Sequence, residues 1–284
     1  MTRSLLFVPA DSPHKFQRAQ ACGADALIID LEDSVAAAEK TNARQLARQM
    51  LEDTAVVAQR WVRVNALDSG LLLDDLSAIV PARPFGIVLP KCSGAAVLRQ
   101  VSHYLDALEA ASGVAPGSVR ILIIATETAA SMFGLDSYAG VTPRLWGISW
   151  GAEDLAADLG SQINRTDGRY TEPYRLARSL CLYAAAAAGV RAIDTVCVEL
   201  DQLQLLGTEA QESYRDGFVG KLAIHPRHID TINRALSPSD DQLDWARRVI
   251  AAFAETPGAS AFRLDGKMVD QPHLRLAHRL LGAN

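Results

Sequence analysis

Short apolar runs recur along the chain: "SLLFVP", "ALIIDLED", "WVRVN", "FGIVLPK", "RILIIATET", "LWGISW", "AIDTVCVE" and "KLAIHP". Most are continuous rather than alternating, the pattern of strands buried on both faces, as in a parallel sheet. The segments between them carry apolar residues at helical spacing, as in "AAEKTNARQLARQMLED" and "AAVLRQVSHYLDALEAAS". Strands alternating with helices predict βα units whose crossover helices cover the sheet. Eight such repeats within residues 1–236 fit an α/β fold of (β/α)8 TIM-barrel type better than an open sheet. Residues 237–284 exceed what closing a barrel needs and predict a C-terminal helical extension that could act as a lid. Its pattern gives one helix over "DQLDWARRVIAAFAE", a break at Pro257 and Gly258, then a turn and a second helix in "RLDGKMVDQPHLRLAHRLLG".

Composition narrows the partners. The chain has 284 residues and 49% hydrophobic content, enough for one large core or two smaller ones. Its net charge of −5 comes from interspersed acidic and basic residues, so no basic face favours nucleic acid and no polybasic segment favours a membrane surface. A small-molecule partner is the expectation. Cys22, Cys92, Cys181 and Cys197 form no CxxC pair, and three lie in apolar surroundings, which suits a reducing compartment. "MTRSLLFVPAD" has too short an apolar stretch for a signal peptide, and no window approaches the length of a membrane span, so a cytoplasmic location is expected.

In such a barrel the C-terminal ends of the strands carry the chemistry. Those ends supply Asp11, Asp30, Glu32, Asp33, Arg63, Asn65, Lys91, Glu127, Glu153, Asp154 and His225, a convergence of charge on one rim. Glu127 follows the apolar part of "ILIIATET", where an unpaired charge is costly, so something cationic should meet it. Asp154 and Asp33 also fit helix caps. Carboxylates from two strand ends, with no cysteine and one histidine nearby, suit a hard octahedral cation, Mg²⁺ or Mn²⁺, rather than zinc. His225 in "AIHPRH" reads either as a residue packing at the rim or as a ligand. Arg63 in "VRVN" offers a planar fork to a substrate carboxylate, or a partner to the acidic rim. Lys91 is the strand-end lysine placed for a Schiff base with a keto acid.

"RSLLFVPADSPHKFQRA", "GADALIIDLEDSVAAAEK", "VRVN", "IVLPK", "ETAASM", "GAEDLAADLG" and "GKLAIHPRHI" stand in the order and spacing of a known family. The sequence resembles the citrate lyase β-subunit-like branch of the HpcH/HpaI aldolase superfamily over nearly its whole length. The resemblance implies a TIM barrel, Glu127 and Asp154 as Mg²⁺ ligands, Arg63 on the carboxylate of the acid, and a coenzyme A thioester as substrate. Asp154 is then held at a strand end to reach a metal, while Glu153 braces the loop. The family often has glycine where this chain has Ala10, which bears on the entry loop, and Pro or Arg after the strand-five Glu where this chain has "TAAS", which bears on the acid pocket.

The tail motif "GKMVDQP" is similar to the lid of citramalyl- and malyl-CoA lyases, in which an aspartate from a neighbouring subunit completes the site. That likeness nominates Asp270 as the base and implies a homo-oligomer, a trimer or hexamer; its other reading is a cap on the last helix. His14, Lys15 and Arg18, at near-helical spacing after the first strand, could meet the coenzyme's phosphates or form a solvated helix face. Three functional readings follow. The first is a Mg²⁺-dependent lyase that splits a 3-hydroxyacyl-CoA such as citramalyl-CoA, malyl-CoA or citryl-CoA into an acyl-CoA and a keto acid. The second is an aldolase acting on free hydroxy acids without CoA, and the third a non-catalytic keto-acid-binding subunit of a lyase complex.

Overall fold

The computed structural model describes residues 2–53, 57–255 and 260–282. Its contacts separate two units, Thr2–Leu236 and Ser237–Asn284.

The first unit alternates strand and helix. Strand β1 (Ser4–Pro9) leads to α1 (Pro13–Gln20), β2 (Ala26–Asp30) to α2 (Lys40–Glu52), β3 (Gln59–Arg63) to α3 (Leu72–Ile79) and β4 (Gly86–Leu89) to α4 (Ala95–Ala111). Then come β5 (Arg120–Ile124) with α5 (Ala129–Met132) and β6 (Leu145–Ser149) with α6 (Ala152–Leu159). A two-stranded hairpin, β7 (Arg165–Thr166) and β8 (Arg169–Tyr170), precedes α7 (Glu172–Ala187), a break in the repeat that the apolar pattern does not announce. Strand β9 (Arg191–Asp194), α8 (Leu203–Asp216), β10 (Gly220–Ala223) and α9 (Ile229–Ala235) complete the unit. The eight long-range strands close in the order β1-β10-β9-β6-β5-β4-β3-β2, all parallel, so the predicted barrel is the observed one.

The continuous apolar runs have a direct cause. Successive side chains point to opposite faces, and here both faces are dry. In β2, Leu27 and Ile29 pack outward among the helices, while Ala26 and Ile28 join Leu5, Trp61, Val88, Leu122, Trp146 and Leu222 inside the barrel. Trp61 and Trp146 meet edge to face with ring centroids 4.9 Å apart, and Phe85 lies 5.1 Å from Trp61. Gly86 is needed beside them, because a Cβ there would overlap the Trp61 ring. This aromatic packing makes the barrel interior a core rather than a pore.

The second unit has its own small core. Helices α10 (Asp240–Glu255) and α11 (Gln271–Leu280) enclose Ala246, Val249, Val269 and Ala277. Between them lies a hairpin, β11 (Ala261–Leu264) and β12 (Lys267–Asp270), where the sequence pattern shows only a turn. Asp265 and Gly266 take left-handed φ values of 49° and 78°, the Asp-Gly geometry that joins two strands tightly. Four-residue strands are too short to leave a legible period. The predicted break at Pro257 and Gly258 lies outside the described residues.

Candidate active site

Register builds the first part of the site. Asp30 ends β2 directly opposite Arg63, which ends β3. From there Arg63 Nε donates to Asp30 Oδ1 and Nη2 to Asp30 Oδ2, both at 2.7 Å, a bidentate pair. Burial would raise the Asp30 pKa, but the hydrogen bonds and charge of Arg63 hold it below the usual carboxylate range. Asp30 also accepts from the backbone N–H groups of Glu32 and Ser34, so it organises the loop after β2. Lys40 Nζ ties that loop down from α2, donating to the carbonyls of Leu31 and Glu32 and to Asn65 Oδ1. The sequence offers the Arg63 fork to a substrate or to the acidic rim; the structure gives its Nε/Nη2 edge to Asp30 of that rim. Its Nη1 faces Glu32 at 3.1 Å and the more exposed Asp33 at 3.3 Å. The Glu32 contact is an ion pair without hydrogen-bond alignment, since Glu32 Oε2 is buried with no hydrogen-bond partner among the described residues.

Glu127 follows β5 after the fully buried Ala125 and Thr126, and is itself only 3% exposed. Its Oε2 accepts from the Lys91 backbone N–H at 2.5 Å. Burial, with the nearby charges of Asp154 and Glu32, pushes its pKa up to about 8, against the partial relief given by Lys91. Lys91 meets Glu127 through its backbone amide, while its Nζ lies 2.6 Å from Glu32 Oε1 and 3.6 Å from Asp154 Oδ1. Burial alone would lower the Lys91 pKa, but the hydrogen bond and charge of Glu32, with Glu127 and Asp154, raise it well above its ordinary value. A lysine held as ammonium is a poor Schiff-base nucleophile.

Asp154 sits in the first turn of α6, behind Gly151 at the N-cap, and makes no side-chain cap bond. That leaves its carboxylate, 36% exposed, facing Lys91 rather than its own helix. Gly151 is required by Glu127: a Cβ would stand 2.7 Å from Glu127 Cγ. Glu153, which also lines the cavity at these strand ends, accepts from Asn164 Nδ2 at 2.8 Å, a tie to the segment after α6.

Asp30, Arg63, Glu127 and Asp154 border a cavity of about 370 Å³ at the C-terminal ends of the strands, lined also by Phe7, Ile124, Trp150, Thr195 and Leu222. Trp150 is fixed from behind, its Nε1 donating to Asp194 Oδ1 at 2.7 Å. Asp194 is buried; burial would raise its pKa, but Lys221 at 2.8 Å and Arg178 hold it down at about 2.

The predicted residues thus divide. Arg63, Glu127 and Asp154 line one cavity. His14, Lys15 and Arg18 lie on the exposed face of α1, outside that lining, while Phe16 and Ala19 bury the other face. His225 caps the turn at Pro226, its Nδ1 accepting from the Arg227 N–H, and it is not among the residues lining the cavity. Asp270 caps α11, with Oδ1 2.6 Å from His273 Nδ1. Glu32 reads in the sequence only as a rim charge and Lys91 as a rim charge or a Schiff-base lysine, yet the two pair with each other. The one signal was their place at strand ends; their pairing joins residues 59 positions apart.

Among the described residues no three His, Cys, Asp or Glu side chains gather at metal-binding distance. Two buried or half-buried carboxylates with an all-oxygen donor set still fit a hard divalent ion, which takes one or two protein carboxylates and fills its other positions with water or substrate oxygens. The raised Glu127 pKa fits the same conclusion, since an added cation would relieve the crowding of negative charge.

A closed eight-stranded parallel barrel with an acidic, oxygen-donor face at its C-terminal rim places the molecule in the class of TIM-barrel proteins. Residues 3–226 match the family model HpcH/HpaI aldolase/citrate lyase, and the chain belongs to that family, which is of lyase type. It is 38% identical over 278 residues to a citrate lyase subunit beta-like protein of Mycobacterium tuberculosis, covering 97% of this chain and 93% of that protein. It is 37% identical over 287 residues to a (3S)-malyl-CoA thioesterase of Cereibacter sphaeroides, covering 98% and 93%. The crystal structure of CitE from M. tuberculosis in complex with magnesium, acetoacetate and coenzyme A matches with a TM-score of 0.79 at 35% identity, covering 99% of this chain and 97% of that one. No helix among the described residues is long and apolar enough to cross a membrane.

Proposed function

We propose that this chain is a Mg²⁺-dependent carbon–carbon lyase that cleaves or forms a 3-hydroxyacyl-CoA of the malyl-, citramalyl- or citryl-CoA kind, releasing or consuming an acyl-CoA and a keto acid. The observation that carries the reading is Glu127: a carboxylate buried at a strand end, crowded by Asp154 and Glu32, at the floor of a cavity of a small acid's size. Magnesium, acetoacetate and coenzyme A in the M. tuberculosis structure are a metal, a keto acid and the carrier of a thioester, which supports it.

In this reading Glu127 and Asp154 hold Mg²⁺, with Mn²⁺ as a substitute. When bound, the ion supplies a Lewis acid that polarises the oxygens of the keto acid. Arg63 receives the acid's carboxylate at Nη1, where Asp33 stands now, while Asp30 keeps the guanidinium from turning. Trp150, locked by Asp194, walls the pocket against water. In the cleavage direction the hydroxyl proton passes to a base, the bond between the carbinol carbon and the thioester's α-carbon breaks, and the thioester half leaves as an enolate that takes up a proton. We assign the base to Asp270 of a neighbouring subunit. A cavity of about 370 Å³ holds the acid but not the whole coenzyme, so the phosphates lie outside, and His14, Lys15 and Arg18 are their candidate partners.

The thioesterase relative makes hydrolysis of the thioester a second reading. Product analysis separates the two. Malyl-CoA and citramalyl-CoA incubated with protein and Mg²⁺ should give acyl-CoA and keto acid; free CoA with intact hydroxy acid would replace the lyase reading by hydrolysis. Turnover of the free acids without CoA would remove the thioester, and full activity after exhaustive chelation would remove the metal.

A further inference from the structure

Lys91 touches all three carboxylates that crowd one another in the site. Its backbone N–H donates to Glu127 Oε2, its Nζ donates to Glu32 Oε1 at 2.6 Å, and the same Nζ stands 3.6 Å from Asp154 Oδ1. Its φ of 50° is left-handed, a conformation that costs a non-glycine residue energy and persists where surroundings impose it. In that conformation one residue gives its amide to Glu127 and its side chain to the other two carboxylates.

The two ammonium contacts are unequal. Glu32, 8% exposed, holds Nζ in a short hydrogen bond, whereas Asp154 is reached only at ion-pair distance. The lysine side chain is 30% exposed and ends in a compact charge on a flexible stem, so a small withdrawal from Asp154 needs no repacking of the core. A fixed brace would have been better served by the planar fork of an arginine, as Arg63 is on Asp30.

We propose that Lys91 is a displaceable stand-in for the divalent ion: its ammonium, held by Glu32, faces Asp154 in the metal-free protein and withdraws from Asp154 when the ion enters. Glu32 is then the parking site of the displaced charge, which accounts for a buried carboxylate that also faces Arg63. Lys91 in this role opposes metal binding and protects the metal-free fold from the repulsion of its own carboxylates. The inference rests on the assignment of Glu127 and Asp154 as the metal-binding pair.

The test measures binding without substrate. Lys91→Met keeps the stem and a non-glycine backbone but removes the charge. Titration calorimetry with Mg²⁺ and electron paramagnetic resonance with Mn²⁺ should show a Kd lower on the order of tenfold in Lys91→Met, because one cation no longer competes with another. The variant's metal-free Tm should fall, and saturating Mg²⁺ should raise it by more than in the wild type. Lys91→Arg, which keeps the charge, should not tighten binding. A Kd unchanged or weaker in Lys91→Met makes Lys91 a fixed brace and overturns the stand-in role alone. If the wild type binds neither ion, the metal reading and this inference fall together. Should Lys91→Met fail to fold, the ε-methylene resonance of Lys91 in the wild type decides: it should move on metal addition, and an unmoved resonance in metal-loaded protein overturns the proposal.

Discussion

Glu127 concentrates the residue-scale physics. Burial and two neighbouring carboxylates raise its pKa from 4.5 to about 8, so the metal-free fold keeps a proton that the unfolded chain has already released. The folded state binds more protons between those values, and stability therefore falls as pH rises through that window. Glu127→Gln removes the titration. Urea denaturation in the presence of a chelator should show the wild type losing ground to Glu127→Gln from pH 5 to pH 8 on the order of 1.4 kcal/mol per unit of pKa displacement at most. A constant difference between the two across that range would place the proton elsewhere. Arg63 teaches a different lesson. A strand-end arginine among acids was readable from the sequence as a fork for a substrate carboxylate or for the acidic rim, and its main edge holds the protein's own Asp30. Which acid wins an arginine depends on strand register, and register is not written at either residue.

At the scale of elements, each of the eight barrel strands overlaps one of the apolar runs, because a strand dry on both faces leaves an unbroken hydrophobic signature. The β7–β8 and β11–β12 hairpins were not legible, being two to four residues per strand and stabilised by contacts outside themselves. Arg165 of β7, for instance, pairs with Glu209 on α8 while its guanidinium lies 3.9 Å from the Tyr170 ring of β8. The junction of β6 and α6 shows how an element serves the site. Gly151 lets the chain pass against Glu127 before the helix presents Asp154, with φ of −124° that any residue adopts; space, not conformation, selects the glycine. Gly151→Ala should push Glu127 aside and weaken Mn²⁺ binding by about tenfold or more, at an overpacking cost of about 1 to 3 kcal/mol. Calorimetry and a thermal melt check both; unchanged metal affinity would mean that Glu127 is not positioned by this contact.

At the scale of the molecule, the tail forms a unit with its own core, in which Val269 is buried while the adjacent Met268 stays 67% exposed. Asp270 is both the cap of α11 and, in our proposal, the base for a neighbouring subunit's site; a helix cap is a rigid mount for such a group. Subunit exchange tests it. Asp270→Asn and Glu127→Ala should each be inactive alone, and mixing them with proven exchange should restore part of the activity through hybrids that contain an intact pair. No recovery would confine Asp270 to its own chain or to capping.

The sequence by itself determined the class of fold, the boundaries of the strands to within a few residues, and the rim on which the charges stand, because periodicity and burial act locally along the chain. The motif order likewise carried the family. Only the tertiary structure decided which charges meet: Asp30 with Arg63 by register, Lys91 with Glu32 across 59 positions, Glu127 against Gly151 by close packing. Pairing energies between charges depend on separation and burial, and closure of the barrel sets both at once, bringing together strand ends that no local pattern relates.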